Sequence, residues 1–134
     1  MHYSLDTNVV IALMAGKGAI RDRVTSHEPG TIGVSAIVLH ELMFGAYNSD
    51  RVDENLANLA GLTFPILRFD EADAKAAGAI RATLKRQGRP IGPFDMLIAG
   101  QALARGLVIV TANVGEFVRV EGLRVEDWTQ PPGP

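Results

Sequence analysis

The 134-residue chain contains no cysteine. Disulfides, thiolate nucleophiles and Cys-ligated metals are therefore excluded, which fits a reducing cytoplasm. An excess of positive charge is also missing. Thirteen Lys and Arg against 15 Asp and Glu leave a formal charge of −2, so any hold on a polyanion has to come from a local basic stripe. Aromatic residues make up 6% of the chain. Tyr47, Phe69 and Trp128 are too dispersed to suggest a base-stacking platform and read as core or interface packing. No long apolar run is present: Val9 to Ala15 is far shorter than the roughly 20 residues a membrane helix needs, and no basic n-region precedes it. The chain reads as soluble, cytoplasmic and unprocessed, with no membrane partner. A Gly-rich phosphate loop and a Ser-His-Asp arrangement are both lacking. His40 precedes Glu41, but HELMF lacks the second histidine of a zinc-protease helix, and His2 and His27 read as incidental.

What is present is ordinary globular composition, 47% hydrophobic and 21% charged, which excludes disorder for the body of the chain. The length predicts one domain, residues 1–129, able to bury roughly two thirds of its unfolded surface, and a frayed tail, 130–134, whose Pro-Pro-Gly-Pro cannot continue a helix or strand. Short β-branched runs alternate with helical patterns. Strands are expected at His2–Leu5, Thr31–Val34, Pro65–Phe69, Leu107–Val110 and, more weakly, Leu123–Val125. Helices are expected at Val9–Met14 with Asn8 as N-cap, at Ala19–Ser26, and at Ala36–Ala46 capped by Ser35. Three more follow at Arg51–Leu62, Asp70–Gln87 and Phe94–Ala104, the last two stopped by Gly88 and Gly106. This alternation predicts an α/β fold, a three-layer α/β/α sandwich with a mostly parallel sheet. Right-handed crossovers bring the carboxyl ends of parallel strands to one edge, where such sheets bind ligands. Here that edge is polar: Leu5 hands over to Asp6, Val34 to Ser35 and Val110 to Thr111.

Four acids stand where packing alone would not ask for them. Asp6 follows the first strand, where an acid ordinarily serves as a turn or cap residue. Glu41 has Ile37, Val38, Phe44 and Gly45 as its helical neighbours, an apolar surface on which a charge needs an ion-pair partner or a metal. Asp95 sits in a helix first turn, favoured by the dipole, yet Phe94, Met96, Leu97, Ile98 and Ala99 make that helix apolar nearly all round. Glu116 lies beyond the strongest strand, with Thr111 and Asn113 at the same edge. One topology can gather all four. Such a cluster requires a counter-cation to stay ionised, and all-oxygen ligation favours Mg²⁺ or Mn²⁺ over zinc. Such ions serve phosphodiester hydrolysis, with Thr111 and Asn113 orienting the carboxylates or a bound water. Residues 74–94 carry Lys75, Arg81, Lys85, Arg86 and Arg89 and no acid. They form either a solvated surface or a phosphate-tracking stripe, with Arg86 and Arg89 nearest Asp95.

Several pieces in order resemble the PIN-domain ribonucleases, and within them the VapC toxins of type II toxin–antitoxin systems: LDTNVV, VSAIVLHELMFGA, RQGRPIGPFDMLIAGQALARGL, VIVTANVGEF and GLRVEDW. The resemblance covers nearly the whole chain. It implies a PIN-like fold and a Mg²⁺-dependent endoribonuclease, Mn²⁺ being a possible substitute, that leaves a 5′-phosphate and a 3′-hydroxyl. It implies Asp6, Glu41 and Asp95 as the three core acids, with Asp6 and Asp95 the direct metal ligands. The family's fourth acid is often Asp in a T-x-N-x-x-D pattern. Here it is Glu116, one methylene longer, reaching the ion directly or through water. The resemblance also implies a homodimer and a VapB-type antitoxin whose tail fills a groove beside the first helices. Operator DNA is bound only through that complex, and the RNA substrate is structured, such as initiator tRNA.

Two other classes fit the sequence less well. An aspartyl-phosphate phosphatase or receiver-like domain also uses acids at strand ends, but such phosphatases want a second Asp two residues on, where this chain has Asn8. A binding module that keeps the fold without catalysis is disfavoured by the intact Asp6, Glu41 and Asp95.

Overall fold

The computed structural model describes residues 1–130. In chain order they form β1 (Tyr3–Leu5), α1 (Thr7–Met14), α2 (Gly18–Thr25), β2 (Ile32–Ser35), α3 (Ala36–Tyr47) and α4 (Val52–Ala60). There follow β3 (Ile66–Leu67), α5 (Glu71–Arg86), α6 (Pro93–Arg105), β4 (Val108–Val110), α7 (Val114–Phe117) and β5 (Arg124–Glu126). The strands form one sheet in the order β3-β2-β1-β4-β5, and every pairing is parallel. Successive side chains of a strand point to opposite faces, yet Val108, Ile109 and Val110 are all buried. Helices therefore cover both faces, and the expected three-layer sandwich is the one that forms. Among the described residues no helix is long and apolar enough to cross a membrane.

Most boundaries agree with expectation to within one or two residues, the usual uncertainty of helix and strand ends. The differences have physical causes. Helix α1 starts at Thr7 rather than Val9, because the Asp6 carboxylate, not Asn8, caps it. Strand β3 is two residues rather than five: the Arg68 carbonyl, which a longer strand would present to a neighbour, instead accepts from the side chains of Gln101 (3.0 Å) and Arg105 (2.5 Å). The single turn α7 was unforeseen, because four residues containing Gly115 carry no helical periodicity. Of the expected frayed tail, residues 131–134 lie outside the described residues. Gln130 is held, its carbonyl accepting from Arg23 at 3.2 Å.

Trp128 is fully buried, as core packing requires. His27 is not incidental. Its ring stacks on Trp128 at 4.6 Å with an interplanar angle of 11°, and Tyr3 packs against both rings. On the other flank α5 and α6 approach closely. A Cβ added at Gly100 would lie 2.6 Å from the Ala77 backbone, so glycine is what allows this contact. The contact fixes α6, the helix that carries Asp95.

Candidate active site

The strand order reverses at β1. The chain runs outward through β2 and β3 on one side, then returns to add β4 and β5 on the other. A crevice outside the carboxyl ends of the strands opens at such a reversal, and Asp6 and Thr111 follow β1 and β4 there. The Thr111 hydroxyl accepts the Asn113 N–H at 2.9 Å and donates to Asp6 Oδ2 at 2.8 Å. The Thr7 N–H donates to Asp6 Oδ1 at 2.7 Å. Both carboxylate oxygens are thus fixed, and Asp6 is 5% exposed. The capping and site readings of Asp6 are therefore not alternatives, since one carboxylate does both.

Glu41 arrives from α3, and its Oε1 accepts the Thr7 hydroxyl at 3.0 Å. It is half-buried. The apolar surface expected around it is divided: Val38 is buried and Ile37 packs against the core, whereas Phe44 is 63% exposed. Beside Glu41 lies a groove lined by Ile11, Met14, Gly45, Asn55 and Leu59.

Asp95 stands in the first turn of α6, which opens with Gly92 as N-cap and Pro93 as its first residue, a pairing suited to helix starts. The Gly92 N–H donates to Glu116 Oε1. Asn113 Nδ2 donates to Glu116 Oε2 at 2.5 Å, and Glu116 shares a hydrogen bond with Asp95. A Cβ at Gly92 would sit 3.4 Å from both Asp95 Oδ2 and Glu116 Oε1. The bare glycine thus leaves the space between these acids open.

The electrostatics follow from what is missing. None of the four acids forms an ion pair with a described arginine, lysine or histidine. Burial pushes the Asp6 carboxyl up, against the lowering effect of the Thr111 and Thr7 hydrogen bonds. Asp95 is pushed up to about 7, first by burial, then by the charges of Asp6, Glu116 and Glu41 and by the bond to Glu116. Glu116 goes the other way: burial would raise it, but Gly92, Asn113, the Asp95 bond and the charge of Arg119 together hold it low. Near neutral pH the Asp95 carboxyl is therefore balanced between its charged and protonated forms, and a proton there neutralises part of the cluster. Among the described residues no three acids enclose a common point as they stand. The donor set, oxygen only with uncompensated negative charge, fits a hard divalent cation that would take over the role of the proton.

The fold gathers Asp6, Glu41, Asp95 and Glu116 at one edge, with Thr111 and Asn113 in orienting positions. Arg86, the last residue of α5, and Arg89 just beyond it are exposed, and a neighbouring cleft is lined instead by Arg81 and Lys85. Sequence reasoning missed two residues. Thr7 bridges Asp6 to Glu41, and its signal was its place directly after Asp6. Gly92 donates to Glu116 at the start of the helix that carries Asp95, and its signal was the Gly-Pro helix start. His40 and Phe94 each precede a site acid, and their rings pair at 5.4 Å.

The PIN domain family model matches residues 3–123. Over 132 residues the chain is 46% identical to the tRNA(fMet)-specific endonuclease VapC of Shigella flexneri, covering 96% of this chain and 99% of that one. The chain belongs to the VapC family of PIN-domain proteins. Among solved structures, DNA-bound VapBC from Salmonella typhimurium is similar at a TM-score of 0.91 and 41% identity, covering 96% of this chain and 98% of that one. VapBC from Rickettsia felis bound to a fragment of its promoter gives a TM-score of 0.89 at 29% identity, covering 96% and 99%. The VapC relationship thus spans the β1 acid, the α6 acid and the sheet edge that joins them.

Proposed function

We propose that this VapC-family protein is an endoribonuclease toxin that uses Mg²⁺, with Mn²⁺ as a substitute, to hydrolyse RNA phosphodiester bonds. The observation that carries the reading is the uncompensated acid cluster at the strand-order reversal, where the Asp95 carboxyl is pushed up to about 7. The names of the Shigella and Salmonella relatives, tRNA(fMet)-specific endonucleases, support tRNA as the substrate. Asp6 and Asp95 would hold the ion, with Glu41 and Glu116 completing the anionic ring. When bound, a divalent cation acidifies water and neutralises charge on the reacting phosphate. Thr111 and Thr7 keep the Asp6 oxygens from rotating, so one ligand is preorganised. Asp95, its carboxyl pushed up to about 7, would give up its proton to serve as a ligand. Attack by water in line with the leaving 3′ oxygen yields a 5′-phosphate and a 3′-hydroxyl.

A VapB-type antitoxin regulates this activity, a reading supported by the VapBC assemblies among the structural relatives. Its tail occupies the groove beside α1 and α3, where Ile11 and Met14 are exposed. Operator DNA is bound through that complex. The exposed Phe44 and Tyr47, one turn apart on α3, support a homodimer contact.

The test is cleavage of tRNA by the purified antitoxin-free protein, with Mg²⁺ and with EDTA, in wild type and Asp6→Asn. Cleavage is expected only in wild type with Mg²⁺, while circular dichroism shows the fold retained in the variant. Undiminished cleavage by Asp6→Asn at saturating Mg²⁺ would sink the assignment.

A further inference from the structure

The end of α5 and the start of α6 enclose a cleft of about 390 Å³ that the acid cluster does not use. Arg81 and Lys85, four residues and hence one turn apart on α5, line it together with Leu84, Ile91, Pro93 and Met96. Neither cation takes part in an ion pair among the described residues. None of the four acids lines it, but Ile91 and Pro93 flank Gly92, whose N–H donates to Glu116 and whose Cα lies close to Asp95, so the cleft and the acids share the start of α6.

We propose that this cleft is a nucleotide subsite: Arg81 and Lys85 bind a backbone phosphate next to the scissile one, and the apolar wall takes the attached ribose and base. The proposal rests on the ribonuclease reading above and adds where the RNA strand is held. Three properties argue for it. The volume lies within the range of roughly 300–1,000 Å³ found for small-molecule sites. Arginine and lysine are the side chains suited to phosphate, the former as a planar fork and the latter as a point charge. An apolar wall with a guanidinium plane accepts any base by stacking, so such a subsite positions the strand without reading its sequence. Arg86 and Arg89 carry the same charge but stand outside the cleft, and so act only through the long-range field. The two pairs of cations are matched in charge and differ in contact.

The experiment compares wild type, Arg81→Gln/Lys85→Gln and Arg86→Gln/Arg89→Gln, all in EDTA. First, adenosine 5′-monophosphate, adenosine and inorganic phosphate are titrated while the Met96 methyl resonance is followed by NMR. The monophosphate is expected to shift Met96 in wild type and in the outer pair, to bind more tightly than adenosine or phosphate alone, and to lose at least tenfold in affinity in the cleft pair. Second, affinity for a short single-stranded RNA is measured against salt. Losing the one phosphate contact that the two cations share lowers the slope of log affinity against log salt by about 0.7, and the outer pair should lower it less. Equal effects of the two double variants on RNA, or a Met96 resonance that the monophosphate leaves in place, overturns the subsite. If the wild-type protein fails to cut any RNA, the proposed function falls, while the nucleotide titration still decides the cleft.

Discussion

Two groups of carboxylates in this molecule are treated in opposite ways. At the start of α5, Asp70 and Asp73 share one arginine from the end of α6. Arg105 Nη2 lies 2.8 Å from Asp73 Oδ2 and 3.3 Å from Asp70 Oδ2, and Nε lies 3.1 Å from Asp73 Oδ1. Asp73 is completely buried. Burial works to raise its pKa, but the Arg105 bonds, the Asp70 N–H and the Arg105 charge hold it below the usual range. At the strand edge Asp95 is only half-buried, yet it is pushed up to about 7. Burial raises both carboxyls, and the net direction differs because Asp73 has a cation to offset it and Asp95 has none. The chain supplies an arginine where an acid pair ties two helices together and withholds one where open carboxylate oxygens are useful, the pattern expected of a functional site.

Removing the arginine should erase the contrast, with the largest effect on stability. Arg105→Met leaves Asp73 buried without a partner and should cost about 3–5 kcal/mol, read as a lower urea midpoint. A change below about 1 kcal/mol, within the range of a surface ion pair, would mean that Asp73 finds water or another donor.

The opposite change is expected at the strand edge. Asp95→Asn should stabilise the metal-free protein at neutral pH by about 1–2 kcal/mol, after discounting the shift for solvent screening at a half-buried group. The sign follows from proton linkage. The folded Asp95, at about 7 against an ordinary 3.8, binds more protons than the unfolded chain between those values, so stability falls as pH rises through that window. Thermal unfolding in EDTA from pH 4 to 8 should show the fall in wild type and a flatter profile in the variant. Identical profiles would separate Asp95 from the electrostatic cost of the cluster. RNA cleavage should be lost in the same variant.

The smallest effect is expected at Glu116, which already has three hydrogen-bond partners of its own. Glu116→Gln should lower single-turnover RNA cleavage by about 10- to 100-fold, the range for residues that orient a ligand rather than act as one, and by less than Asp95→Asn. An equal loss across a Mg²⁺ titration would show that the longer side chain reaches the ion directly.

The sheet, its direction and the polar edge were legible because β-branched runs such as Val108–Val110 and the Ala-rich α5 have distinct periods. The four acids were legible because each stood against its background, Glu41 beside Val38 and Asp95 ahead of Ile98. The linking residues were not legible. Thr7 and Gly92 act across 34 and 24 positions of chain, and nothing in a single sequence marks which distant partner a hydroxyl or an N–H will meet. The buried Asp73 stayed hidden because its Arg105 lies 32 positions away. The aromatic packing of His27 likewise required Trp128, which only the completed fold brings near.

The hydrogen bond from Thr111 to Asp6 joins residues 105 positions apart, and β4 enters the sheet between β1 and β5. The first acid is therefore synthesised long before the hydroxyl that orients it, and the central strand pairing must wait for nearly the entire chain. Contacts of such long sequence separation form late and slowly. A ribosome-bound fragment that stops short of β4 lacks Thr111, Asn113 and Glu116 alike, so the Asp6 carboxylate has neither its orienting hydroxyl nor the fourth acid until β4 and α7 have been made.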